Sequence, residues 1–317
     1  GHYMKHKTRS VFVTVALHFN LLARYACAIA LSIAAATVEA NEVTIRHKGI
    51  SLNANLALAA GKPLADGAIL ITHGGLAHRD MELIATLSNL LQQKGYNTLA
   101  INLSLGLDQR HGMYDCKITH RHRNADAAEE IGAWVDWLAQ QGAKQVVLLG
   151  HSRGGAQTAL YAAGRHHDLV KALVLMAPAI SENSDAAEYQ RRFQTPLAPD
   201  IKKAQKLINA GRGSAVLTRV GLLNCADTSA TAEAFASYYG QSPALDTPYL
   251  LPKLRQPTLV VVAGNDEVVI GLDKKMAQLT DGLRVKMKLI DGADHTFRDI
   301  YTDEAVDVID VFIKNIW

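Results

Sequence analysis

One hexapeptide constrains the fold more than any other stretch of this 317-residue chain: Gly150-His151-Ser152-Arg153-Gly154-Gly155. It follows the apolar run Gln145–Leu149 (QVVLL), which reads as a buried strand, and it opens a helical stretch over Arg153–His166. A bare G-x-S-x-G is a weak signal, but between a buried strand and a helix it becomes a specific one. The turn is too tight for bulky neighbours, so Gly150 and Gly154 give clearance. Ser152 is thereby forced into a strained backbone conformation with its Oγ exposed. The first amides of the helix point toward that oxygen, and their partial positive charge favours an anion beside it. The bland alternative is a glycine-rich strand–helix turn in a sheet protein without chemistry.

The rest of the chain repeats the strand–helix rhythm. Glu42–Arg46 and Ile50–Ala59 read as two strands around Lys48-Gly49, and Ala68–Thr72 as a short strand ending in His73-Gly74-Gly75. Arg79–Lys94 has helical period, with Met81, Ile84, Leu87, Leu90 and Leu91 on one stripe, and Gly95 stops it. Further strands are expected at Thr98–Leu103, Ala172–Met176, Thr258–Ala263 and Val285–Ile290, and helices at Ala125–Gln141, Leu272–Leu279 and Asp303–Ile316. Continuous apolar strands separated by amphipathic helices are the mark of a parallel sheet covered on both faces. The expected class is therefore α/β, a doubly wound, mostly parallel sheet with right-handed crossovers.

Residues 180–252 break the rhythm. They lack long apolar runs, hold Pro196, Pro199, Pro243, Pro248 and Pro252, and show short helical stretches around Asp185–Arg192, Asp200–Ala210 and Ser229–Tyr239. An insertion between two core strands belongs over their carboxyl ends, where open α/β sheets bind ligands. It reads as a helical lid, with Phe193, Leu197, Leu222, Leu223, Phe235 and Tyr238 as candidates for an apolar wall.

With the serine turn, the strand order and this insertion, residues 66–317 resemble the α/β-hydrolase family. In that family a nucleophile, an acid and a histidine follow one another along the chain, and the resemblance implies Ser152, Asp266 and His295. Asp266 lies in Gly264-Asn265-Asp266-Glu267, just past the strand after the insertion, with Glu267 as runner-up. Its implied task is to orient the histidine and stabilise the imidazolium. His295 lies in Asp291-Gly292-Ala293-Asp294-His295, after the last strand, as general base. An oxyanion hole needs two amides aimed at developing negative charge. The resemblance implies the amide of Arg153 and one from the loop after the early strand, with Gly75 first and Leu76 second. The implied activity is hydrolysis of a carboxylic ester through an acyl-enzyme, with a small-molecule acyl substrate as partner and no cofactor or metal. Thioesterase, lactonase, amidase or peptidase activity on the same residues stays open, as does a non-catalytic binding protein on this fold.

The N-terminus carries a separate signal. Gly1-His2-Tyr3 look like a cloning scar before Met4; a basic stretch with Lys5, Lys7 and Arg9 follows, then an apolar region whose cleanest run is Tyr25–Val38. Val38-Glu39-Ala40 suits a cleavage site, so residues 1–40 read as tag scar plus signal peptide and residues 41–317 as the domain. The expected location is periplasmic or secreted, with no stable membrane partner after cleavage. An uncleaved anchor is the alternative, although Arg24 would be costly at mid-bilayer. The net charge of +3 sits wholly in this segment, where Lys5, Lys7, Arg9 and Arg24 face Glu39 alone. The balanced remainder lacks the basic field that a nucleic-acid binder needs. Beyond the leader, Cys116 and Cys225 invite one disulfide in an oxidising compartment, but sequence does not show whether they meet. His111, Asp115, Cys116, His120 and His122 cluster in one polar loop, with spacing that matches no metal-ligand template.

Overall fold

The computed structural model describes residues 40–317. Apart from Ala40, the expected leader lies outside the described residues. In chain order the main elements are β1 (Asn41–His47), β2 (Ile50–Ala57), β3 (Ala68–Thr72), α1 (Glu82–Gln93), β4 (Thr98–Asn102), α2 (Asn124–Gln140), β5 (Val146–His151), α3 (Arg153–Gly164) and β6 (Val170–Met176). After them come α4 (Ala186–Phe193), α5 (Ala198–Asn209), β7 (Val216–Leu222), β8 (Cys225–Thr231), α6 (Ala232–Tyr239) and α7 (Thr247–Leu250). The chain closes with β9 (Thr258–Ala263), α8 (Leu272–Ala277), β10 (Val285–Ile290) and α9 (Ile300–Lys314).

Eight strands form one sheet in the order β1-β2-β4-β3-β5-β6-β9-β10. The β1–β2 and β2–β4 pairs are antiparallel and every other pair is parallel. Burial on both faces of the pleat explains why central strands such as β3 and β9 are apolar throughout. On β3, Ala68 and Leu70 enter one core while Ile69 and Ile71 enter another on the opposite face. On β5, Val146 and Leu148 divide from Val147 and Leu149 in the same way. The first core is closed by Ile131, Trp134, Val135 and Leu138 of α2 and by α3. The second is closed by Ile84, Leu87 and Leu91 of α1 and by Val306, Ile309 and Ile313 of α9. This is the doubly wound, mostly parallel sheet expected from the sequence.

The insertion differs from the helical lid expected. Helices α4, α5 and α6 lie where helical stretches were read, but between α5 and α6 the chain forms an antiparallel hairpin of β7 and β8. The hairpin is tied to the loop after β4: the His120 N–H donates to Ser229 O (2.8 Å), and the Thr231 N–H donates to His120 O (3.0 Å). The Thr228 hydroxyl donates to Cys116 O (2.6 Å), and Cys116 is disulfide-bonded to Cys225, with Cα atoms 5.5 Å apart. The insertion is therefore a mixed helix–hairpin cap stapled to the core.

Candidate active site

The serine turn has the geometry that its glycines allow. Ser152 has φ 56° and ψ −126°, outside the regions open to unstrained L-residues. A Cβ on Gly154 would lie 2.1 Å from His73 O, and one on Gly150 would lie 2.5 Å from Gly154 O. Neither site has room for a side chain, so β5, α3 and the loop after β3 pack backbone to backbone. The Ser152 N–H donates to Met176 O (2.9 Å), tying the turn to the end of β6.

Loops after β9 and β10 bring two more residues to the serine. Asp266 Oδ1 accepts the N–H groups of Val268 and Val269 (both 2.8 Å), which fixes the carboxylate. Its other oxygen, Oδ2, lies 2.8 Å from His295 Nδ1. His295 Nε2 lies 2.8 Å from Ser152 Oγ. A carboxylate only accepts, so Nδ1 carries the proton and Nε2 is free to accept from the serine hydroxyl. The side chain of Asp266 is 5% exposed and that of His295 14%, so both stand largely out of water. Glu267, the runner-up acid, is exposed.

A third feature lies on the same wall. The N–H groups of Gly75, Leu76 and Arg153 make no hydrogen bond among the described residues. All three residues, with Ser152 and His295, line a cavity of about 590 Å³. Free amides beside a serine hydroxyl are the arrangement that could hold an oxyanion. Ser152, His295, Arg153, Gly75 and Leu76 thus meet at one cavity, with Asp266 hydrogen-bonded to His295.

The positioning residues were not legible in the sequence. His151 donates from Nε2 to the backbone carbonyl of His295 (2.8 Å) and holds that loop against the serine turn. Burial lowers its pKa to about 3, so the ring is neutral and Nδ1 is unprotonated. His73 does the same for the loop after β3. Its Nε2 accepts the Leu103 N–H (3.0 Å), and burial, then the charge of Arg110, lower its pKa to about 3. The guanidinium of Arg110 donates to the carbonyls of Leu103 (2.7 Å) and Ala77 (2.9 Å), bracing the same loop. No short-range pattern signals such roles, because each rests on a tertiary contact.

The cap wall is only partly the one expected. Phe193 and Leu223 line the cavity, but Leu197, Leu222, Phe235 and Tyr238 are buried in the interior of the cap. Tyr189, Tyr239, Met81 and Met113 stand on the wall with them. The five-residue polar cluster dissolves into separate roles. Cys116 is in the disulfide, and His111 Nε2 lies 3.0 Å from Glu42 Oε2. His120 and His122 form a buried chain to Tyr238, with His120 Nδ1 2.9 Å from His122 Nε2 and His122 Nδ1 2.7 Å from the Tyr238 hydroxyl. No grouping of three or more potential metal ligands occurs among the described residues.

A family model described as alpha/beta hydrolase fold matches residues 67–208. No curated protein matches the chain. Among solved structures, Est1E from Butyrivibrio proteoclasticus superposes with a TM-score of 0.63 at 20% identity, covering 86% of this chain and 98% of that one. A monoacylglycerol lipase from Paleococcus ferrophilus gives a TM-score of 0.60 at 17% identity, covering 84% of this chain and 99% of its own. A Pyrococcus furiosus esterase gives 0.61 at 14% identity, covering 88% and 92%.

Proposed function

We propose that this chain, which belongs to the α/β-hydrolase fold family, is a serine hydrolase of carboxylic esters. The observation that carries this reading is the unbroken chain Ser152–His295–Asp266, with both of its hydrogen bonds at 2.8 Å, opening beside free amides in one cavity. In this reading His295 Nε2 takes the proton as Ser152 Oγ attacks the acyl carbon. The oxyanion that forms accepts from the N–H of Arg153 and from that of Gly75, with Leu76 as the alternative donor. His295, now an imidazolium stabilised by Asp266, returns the proton to the departing alkoxide. Water then attacks the acyl-enzyme by the same route in reverse. The esterases and the lipase among the fold's relatives support an ester over other acyl substrates as analogy of fold.

The reading places the protein outside the cytoplasm after cleavage following Ala40. Two observations support this: the leader-like composition of residues 1–40 and the Cys116–Cys225 disulfide, which suits an oxidising compartment. The partner is then a small-molecule acyl substrate, with no nucleic acid and no stable membrane attachment.

A fluorophosphonate probe tests the chemistry. The protein is expected to be labelled at Ser152 and to hydrolyse 4-nitrophenyl esters, and Ser152→Ala is expected to lose both while its unfolding transition stays in place. Labelling of the variant at another serine overturns the assignment.

A further inference from the structure

The cavity over Ser152 carries more positive than negative charge. Arg153, in the first turn of α3, and Arg191 and Arg192, in the last turn of α4, all stand on its wall. Apart from the hydrogen-bonded chain through His295, the wall offers them one carboxylate, Glu188. That carboxylate is shared by Arg191 (2.7 Å) and Arg192 (3.0 Å).

Arg153 is the exceptional member. It is only 8% exposed, yet it makes no ion pair among the described residues. Its Nη2 donates to Ser184 Oγ at 3.3 Å, and its guanidinium carbon lies 5.7 Å from the ring centroid of Tyr238. Its Nη1 is buried with no hydrogen-bond partner. Arg192 increases the imbalance, because its charge acts against that of Arg153. A buried cation is stable only when paired and hydrogen-bonded, and a long hydroxyl contact with an aromatic face supplies little of that. The missing group is an anion, and a planar carboxylate suits a guanidinium fork.

Resting on the esterase reading above, we propose that the substrate is an ester bearing a separate free carboxylate, which Arg153 and Arg192 bind while Ser152 attacks the ester carbonyl. Esters with an uncharged chain in that place leave Arg153 unpaired and are the poorer substrates.

Two 4-nitrophenyl esters of adipic acid test this, one with its second carboxyl free and one with it capped as the methyl ester. The capped ester has the same reacting group and nearly the same length, so the kcat/KM ratio reads the carboxylate alone. The full chain is expected to favour the free acid at least tenfold. Arg192→Gln is expected to lower that ratio several-fold, and Arg153→Gln to bring it close to one. Reading a ratio removes any general loss that these changes cause. Should Arg153→Gln fail to fold, Arg192→Gln carries the test, with competitive inhibition by monomethyl adipate but not by dimethyl adipate as the second measurement. A ratio of one or less in the unmutated protein overturns the inference and leaves the esterase reading standing, as does a ratio that Arg192→Gln does not move. Absence of both turnover and Ser152 labelling overturns both. Labelling without turnover of either ester overturns the carboxylate preference while keeping a reactive serine.

Discussion

Ser152 and Asp266 are held by opposite means. The serine sits in a conformation that costs on the order of 1–3 kcal/mol and persists because Gly150 and Gly154 let three backbone segments close around it. The aspartate is held by satisfaction, since both of its oxygens are occupied, one by two backbone N–H groups and the other by His295. This makes Asp266→Asn informative. The amide oxygen can still accept from Val268 and Val269, but the NH₂ group then faces His295 Nδ1–H, donor against donor. Relief requires the ring to carry its proton on Nε2, and Nε2 can then no longer accept from Ser152. Turnover of a 4-nitrophenyl ester is expected to fall by roughly 10³–10⁴-fold while the fold survives. Glu267→Gln, at an exposed position, is expected to change turnover by less than about twofold. Exchange of the two results moves the acid by one residue.

At the scale of elements, the cap is joined to the core by a crosslink, by main-chain bonds and by a buried histidine–tyrosine chain. The Cys116–Cys225 bond closes a separation of 109 residues, and in the chain-entropy picture a loop of that length is worth roughly 4–5 kcal/mol. Replacing both cysteines by Ala is expected to lower the thermal midpoint by several degrees and to open the β7–β8 hairpin to protease. Fluorophosphonate labelling of Ser152 is expected to persist at 25 °C, because the strands that carry the candidate residues end elsewhere. Parallel loss of labelling and of cap protection would mean that the cap holds the serine turn in place. The same hairpin marks where sequence legibility ends. The core strands declare themselves because burial on both faces demands unbroken apolar runs such as AILIT, VVLL and TLVVVA. β7 (VLTRVGL) and β8 (CADTSAT) mix polar and small residues, since part of each faces water, and they are held by pairing with each other, by the bonds to His120 and by the disulfide. Ser152, Asp266 and His295 stand out in the sequence as candidates because each follows a strand end and the strands are readable. The roles of His151, His73 and Arg110 depend on contacts across 144, 30 and 33 residues, respectively, and leave no local trace.

The molecule as a whole buries neutral histidines, and these make its stability fall with acid. Burial is the leading cause in each case: His73, His122 and His151 titrate near about 3 and His120 near about 4, well below the ordinary histidine value of 6.5. A group whose folded pKa is depressed binds fewer protons in the native state than in the unfolded one. Stability therefore rises with pH across the window from about 3 to 6.5 and is lost as pH falls through it. Glu130 acts in the opposite sense. Buried behind the loop after β4, where it accepts the Ser104 N–H at 2.8 Å, its carboxyl is pushed up to about 7, so the folded state holds a proton that the unfolded chain releases above 4.5. Near pH 5 the four rings favour proton uptake on unfolding and the one carboxyl favours release, leaving a net uptake of about three protons. For these five groups that corresponds to roughly 4 kcal/mol of stability lost per pH unit of acidification around pH 5. Urea midpoints measured from pH 7.5 to 4.5 are expected to hold nearly level above pH 7 and then drop with increasing steepness. His122→Phe, which keeps an aromatic ring but cannot take a proton, is expected to reduce the slope near pH 5 by about one proton. It is also expected to lower stability at pH 7.5, because the Tyr238 hydroxyl and His120 each lose a partner. A slope that is unchanged in this variant would mean that the acid transition belongs to other groups.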